Sequence, residues 1–81
     1  FETGMMARSK SGHDAGNVYV ITKVEEAYVY LVDGKVRTLD KPKKKKKKHV
    51  QLIKESFDIQ GATDVDIKRW IKIWNKEDNQ N

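Results

Sequence analysis

The chain has no cysteine among its 81 residues, so it has neither a disulfide framework nor a cysteine-ligated metal site. The lack of thiols fits a reducing compartment, and the expected location is the cytoplasm. Its two histidines, His13 and His49, stand 36 positions apart, a spacing that matches no recognised metal-ligand pattern. Neither the glycine–lysine pattern of a P-loop nor the glycine fingerprint of a dinucleotide site occurs. No apolar run approaches the roughly 20 residues needed to span a bilayer as a helix. The first twenty residues also lack the apolar segment of a secretory signal. These absences lead to an expectation of no enzyme, no metal, no cofactor, no small-molecule substrate and no membrane partner.

Apolar and charged residues are nearly balanced, at 37% and 36%. A chain this short buries only roughly 60% of the surface its unfolded form exposes, so it forms one small domain with a thin core. The chain opens on Phe1 and not on Met, and the Met5-Met6 pair leaves open that residues 1–4 precede the natural start.

What is abundant is lysine. Lys43, Lys44, Lys45, Lys46, Lys47 and Lys48 follow one another without interruption, with Lys41 and Pro42 before them and His49 after. The net charge of +5 understates this asymmetry, because residues 41–49 hold seven lysines and no acid. Ammonium groups are almost never fully buried unless paired, and adjacent positives repel. Such a tract is either a solvated arm or a surface set beside a polyanion. Its mid-chain position, between strand-like segments, argues against a loose arm.

Residues 5–8 form a candidate first strand. Ser9, Ser11, Gly12, Asp14 and Gly16 then supply turn chemistry. Residues 17–24 and Tyr28–Val32 are rich in β-branched and aromatic side chains and read as strands. Between the second of these and residues 35–39, Asp33-Gly34 reads as a tight type I′ hairpin turn, which makes 35–39 its second arm. Pro42 lacks a ladder donor, and a strand with lysines on both faces must lie at an edge. Lysines on one face of it repeat at roughly 6.6 Å. Residues 50–53 close the sheet. The expected fold is mainly β, a small SH3-like five-stranded barrel with a C-terminal α-helix. The barrel takes residues 1–57, including the basic block 41–49. A linker, the helix and a polar tail fraying from Asn75 take 58–81. Ile67, Trp70, Ile71 and Trp74 share one helix face, and Thr63 with Asp66 forms an approximate capping box.

The run from Gly4 to Gly34 resembles a KOW motif: a leading glycine, then Ser9, Gly12, Asp14 and Gly16 in a two-glycine loop, then β-rich sequence ending at Asp33-Gly34. With the basic block and His49-Val50-Gln51-Leu52 included, residues 4–53 resemble the small bacterial KOW-domain RNA-binding proteins. Those are akin to the archaeal and eukaryotic-type large-subunit ribosomal protein fourteen. The resemblance implies an SH3-like barrel that binds structured RNA, often ribosomal, without catalysis. Asn17 and Ala15 stand where such motifs often carry basic residues, which shifts phosphate binding from the loop to the lysines.

Ser9, Ser11, His13 and Asp14 have the residue types of a hydrolytic triad, but their crowding suits a turn, with Asp14 stabilising the loop. Trp70 and Trp74 lie on an apolar stripe and are expected to be core. Tyr28 and Tyr30 share one strand face, either packed or solvent-side as stacking groups. The expected RNA-binding residues are therefore Arg8, Lys10, Gly12, His13, Gly16, Lys35, Arg37, Lys41, the six lysines from Lys43 to Lys48, and His49. The expected partner is ribosomal RNA, together with neighbouring ribosomal proteins, which places the protein on the ribosome. About five neutralised phosphates give a slope of log K on log salt of roughly −3.5 to −4.5. Two alternatives stand beside this reading: an SH3-like module for an acidic protein partner, and a transcription-associated KOW module for DNA or RNA.

Overall fold

The computed structural model of the protein describes residues 1–78. Among the described residues there are five strands and one helix: β1 (Met5–Ser9), β2 (Val18–Val24), β3 (Tyr28–Val32), β4 (Lys43–Lys46), β5 (Val50–Ser56) and α1 (Asp64–Asp78), with a 3-10 turn (Lys47–His49) between β4 and β5. All pairings are antiparallel, and the strands lie in the order β4-β3-β2-β1-β5 within one sheet. This mainly β arrangement with a C-terminal helix is consistent with a small SH3-like barrel.

Both faces of the central strands are covered, which is why Val18-Tyr19-Val20-Ile21 is an unbroken buried run and not an alternating one. Ala7, Tyr19, Ile21, Val29, Leu31 and Val50 fill the inner face of the curled sheet. Met6, Val18, Val20 and Val32 point the other way, where Ile67 of α1 joins them. The helical stripe is core, as its spacing predicts: Ile67 is fully buried, and Trp70, Ile71 and Trp74 pack around it. Trp70 lies flat on Phe57, with ring centroids 4.7 Å apart and planes within 5°. Such a stack contributes about 0.5–1.5 kcal/mol beyond its buried area.

The capping box closes as expected. Thr63 N–H donates to Asp66 Oδ2 at 3.0 Å and Asp66 N–H to Thr63 Oγ1 at 3.2 Å. The Thr63 N–H, followed by the Thr63 hydroxyl, holds the Asp66 carboxyl below its ordinary pKa. The helix continues through Asn75 to Asp78, so the fraying expected from Asn75 does not begin there. The remainder of that expected tail lies outside the described residues.

The expected hairpin at Asp33-Gly34 does not form. Residues 35–39 are not a strand, and no non-glycine residue takes positive φ among the described residues, so the two positive φ values of a type I′ turn are not met. Asp33 Oδ1 instead accepts the N–H groups of Lys35, Val36 and Arg37 at 2.9, 3.1 and 2.9 Å. Leu39 N–H goes to Asp64 Oδ1 at 2.8 Å, at the start of α1. With these donors drawn to two carboxylates, no ladder is available, and β3 pairs with β4. Gly34 is required at this point. Its φ is +80°, and a Cβ there would collide with the Asp64 carbonyl of α1.

Candidate nucleic-acid interface

The lysine tract is not one continuous comb. Its first four residues form edge strand β4, paired with β3 through Tyr28↔Lys46, Val29↔Lys45, Tyr30↔Lys44 and Leu31↔Lys43. Lys47 and Lys48 belong to the following turn. Because strand side chains alternate, this register sends Lys43 and Lys45 to the inner side with Leu31 and Val29. It sends Lys44 and Lys46 to the outer side with Tyr30 and Tyr28.

The inner pair has a specific counter-charge. Lys43 Nζ lies 2.8 Å from Asp14 Oδ2, and Lys45 Nζ lies 3.2 Å from Asp14 Oδ1. Lys45 also donates to the Ser11 carbonyl at 3.0 Å. The fully buried Ser9 and the buried Tyr19 donate their hydroxyls to the same carboxylate at 3.0 and 3.3 Å. Only 11% of the Asp14 side chain is exposed. Burial alone would raise its pKa, but the donors from Lys43, Ser9 and Lys45 and the Lys43 charge outweigh burial and hold it well below the usual carboxylate range. Burial is also the main cause that raises the Tyr19 phenol, which therefore remains a neutral donor.

Asp14 is thus a loop stabiliser, as its setting in the turn suggests, and it works by clamping the 10–17 loop to β4. Gly12 and Gly16 take the positive φ values the turn reading requires. Lys43 and Lys45 were expected on the RNA-binding surface. They are turned toward Asp14 instead, so the full five-phosphate charge expected of the tract is not free.

The outer pair sits in different surroundings. Lys44 Nζ lies over Tyr28 at 4.5 Å from the ring centroid and reaches Tyr30 at 5.8 Å, with Glu25 Oε1 3.7 Å away. Lys23 covers Tyr30 from β2 at 5.2 Å. Tyr30 and then Glu25 raise the Lys44 pKa, so it stays fully charged. Lys46 and Lys48 are exposed and form no ion pair among the described residues. Edge lysines also deter pairing with further strands, but that role does not call for an unbroken run. Tyr28 and Tyr30 therefore lie on the solvent side, half-buried beneath lysine stems.

The remaining expected residues scatter. Lys10 and His13 are exposed on the loop, and Lys10 N–H bonds the His49 carbonyl at 2.8 Å. Lys41 is exposed just before β4. Arg8 packs its guanidinium against Trp74, 5.6 Å from the ring centroid, and Lys47 lies over Phe1 at 5.6 Å. Arg37 is half-buried at the base of the Asp33 turn. Lys35 and Gly16 border a separate groove of about 610 Å³ against α1. Val36, Lys68, Ile71 and Lys72 also line it. This is a second cationic region, and Lys35 does not join the β4 edge.

Sequence reasoning missed the ion-pair hub at Asp14, and it put Tyr28 and Tyr30 on one strand face, packed or solvent-side, without the lysines that lie over them. The hub has no local signal, since its partners lie 29 and 31 positions away. The tyrosine face was visible as the two-residue alternation in Tyr28-Val29-Tyr30-Leu31. Among the described residues no acid–histidine cluster could hold a metal ion, and no helix is long and apolar enough to cross a membrane. No family model matches the chain, and no curated protein matches it in sequence.

Proposed function

We propose that the protein binds RNA through the outer side of the β4 edge, with Lys44, Lys46 and Lys48 neutralising phosphates. One observation carries this reading: an edge strand presents Lys44 and Lys46 outward while its inward lysines are engaged by one buried carboxylate within the fold. The ladder to β3 fixes the spacing of Lys44 and Lys46, and Lys48 follows in the short turn that joins β4 to β5, so association does not have to order a flexible arm. Lysine is a point-charge phosphate ligand without the fork that reads base edges. Specificity on this surface comes from RNA shape and 2′-hydroxyl contacts. The resemblance to KOW-domain proteins makes folded ribosomal RNA the target of choice, with the protein associated with ribosomes in the cytoplasm.

Removing Lys43 and Lys45 from the count revises the expected salt dependence. Three outward lysines contribute roughly −2 to −3 to the slope of log K on log salt. The test is a titration of nuclease-treated protein with a folded ribosomal RNA fragment at rising salt. The expected result is tight binding at low salt that weakens with at least this slope. Absence of salt-sensitive association with any RNA overturns the proposal. A protein partner captured equally well after nuclease treatment would favour the acidic-partner reading instead.

A further inference from the structure

We propose that Tyr28 and Tyr30 form a stacking platform for two unpaired bases, so that the segment held at this face is single-stranded or looped RNA. The proposal rests on the RNA-binding reading and narrows the kind of RNA. Both rings leave β3 on its outer side, where α1 does not cover them: the helix packs against Met6, Val18, Val20 and Val32. On that side the rings' neighbours are Lys44 and Lys23. Antiparallel pairing to β2 on one side and β4 on the other holds the strand. The Tyr30 hydroxyl donates to Glu25 Oε1 at 3.4 Å, which restrains its ring.

Geometry selects the ligand. Residues two apart on a strand are separated by roughly 6.6 Å, whereas neighbouring bases in a helix are stacked about 3.4 Å apart. Two adjacent bases can cover both rings only after leaving each other's stack, which a continuous duplex does not allow. The ammonium of Lys44 now bridges the rings, and a base must displace it. An exposed cation–aromatic contact is worth roughly two- to fivefold in equilibrium, against roughly 5- to 150-fold for a base stacked on an aromatic side chain. The base therefore wins. Lys44, on a flexible stem that is half exposed, can swing to the phosphate of the same nucleotide and keep a charged partner.

The experiment compares a mixed-sequence RNA strand of about 12 nucleotides with the same strand annealed to its complement. Binding is measured at matched salt for the unmodified protein, Tyr28→Ala/Tyr30→Ala and Tyr28→Phe/Tyr30→Phe. The platform predicts preference for the single strand, a loss of roughly 25-fold or more in the alanine variant, and near-full retention with phenylalanine. It also predicts an unchanged salt slope in the alanine variant, because no charge is removed. A readout independent of variant folding is the ring-proton NMR signals of the unmodified protein. Those of Tyr28 and Tyr30 shift upfield on binding, while those of Trp70 do not. Equal binding by the alanine variant with unshifted tyrosine signals, or a preference for duplex, overturns the platform and leaves electrostatic RNA binding standing. If the unmodified protein binds neither RNA, both proposals fall.

Discussion

Lys43 and Lys45 leave one side of β4, Lys44 and Lys46 leave the other, and the two pairs have almost nothing in common beyond their chemistry. The inner pair meets one nearly buried carboxylate that also takes two hydroxyl donors, and Lys45 keeps only 11% of its side chain exposed. In the outer pair, Lys44 lies over tyrosine rings with the half-buried Glu25 carboxylate at 3.7 Å, and Lys46 is exposed without an ion pair among the described residues. Four consecutive identical residues thus divide into a structural clamp and an outward-facing cationic side by strand alternation alone. A count of lysines overstates the charge available to a partner. It also hides the different outcomes expected of substitutions on the two sides: a loss of stability from the inner ones and, on the proposed function, a loss of binding from the outer ones.

Breaking the clamp has the largest expected effect. Asp14→Ala leaves two ammoniums and the Ser9 and Tyr19 hydroxyls without their shared acceptor, which costs about 2–4 kcal/mol. For a domain of this size that lowers the unfolding midpoint by roughly 10 °C or more, measurable by circular dichroism. Lys43→Gln/Lys45→Gln strips the carboxylate of its charged partners while sparing the hydroxyl bonds. It is expected to cost less, about 1–3 kcal/mol. If the midpoint of either variant does not move, the inner pair is not structural.

Acid should reproduce part of this loss. The Asp14 carboxyl lies below its ordinary value of 3.8 in the folded protein, so the unfolded chain takes up its proton first as pH falls. Its stabilisation is therefore complete well above pH 3.8 and declines progressively below that value, toward the folded pKa. Urea midpoints measured from pH 7 downward should hold steady to about pH 5 and then fall. In Asp14→Asn the fall should be shallower, with the residue due partly to Asp66, which is shifted in the same direction. The smallest expected effect on stability belongs to Lys44→Gln/Lys46→Gln/Lys48→Gln, whose unfolding midpoint should match that of the unmodified protein. A large drop there would erase the contrast between the two sides.

Much of this architecture was legible in the residues. Val18–Val24 and Tyr28–Val32 declared themselves by β-branched and aromatic content, and lysine on both faces forced β4 to an edge. Ile67, Trp70, Ile71 and Trp74 defined the buried face of α1, with Thr63 and Asp66 marking its start. What escaped depended on partners far along the chain. The Asp33-Gly34 turn has the composition of a hairpin. It becomes a loop because Asp33 gathers three N–H groups locally while Asp64, 25 positions beyond Leu39, takes a fourth. The division of the lysines was hidden for the same reason. Alternation was predictable, but which side faced Asp14 depends on the register of β4 against β3 and on a loop that reaches it from another part of the chain. Arg8 and Lys35 looked like extensions of the basic surface, yet one packs on Trp74 and the other borders the groove beside α1.

The most direct measurement is the ionic-strength dependence of RNA affinity for three proteins side by side: unmodified, Lys44→Gln/Lys46→Gln/Lys48→Gln, and Lys43→Gln/Lys45→Gln, the last at a temperature where it remains folded. The outward substitutions should flatten the slope of log K on log salt by about two to three units, and the inward ones should leave it nearly as steep as in the unmodified protein. Equal flattening by both sets, or none by the outward set, would contradict the assignment of binding to the outer side of β4.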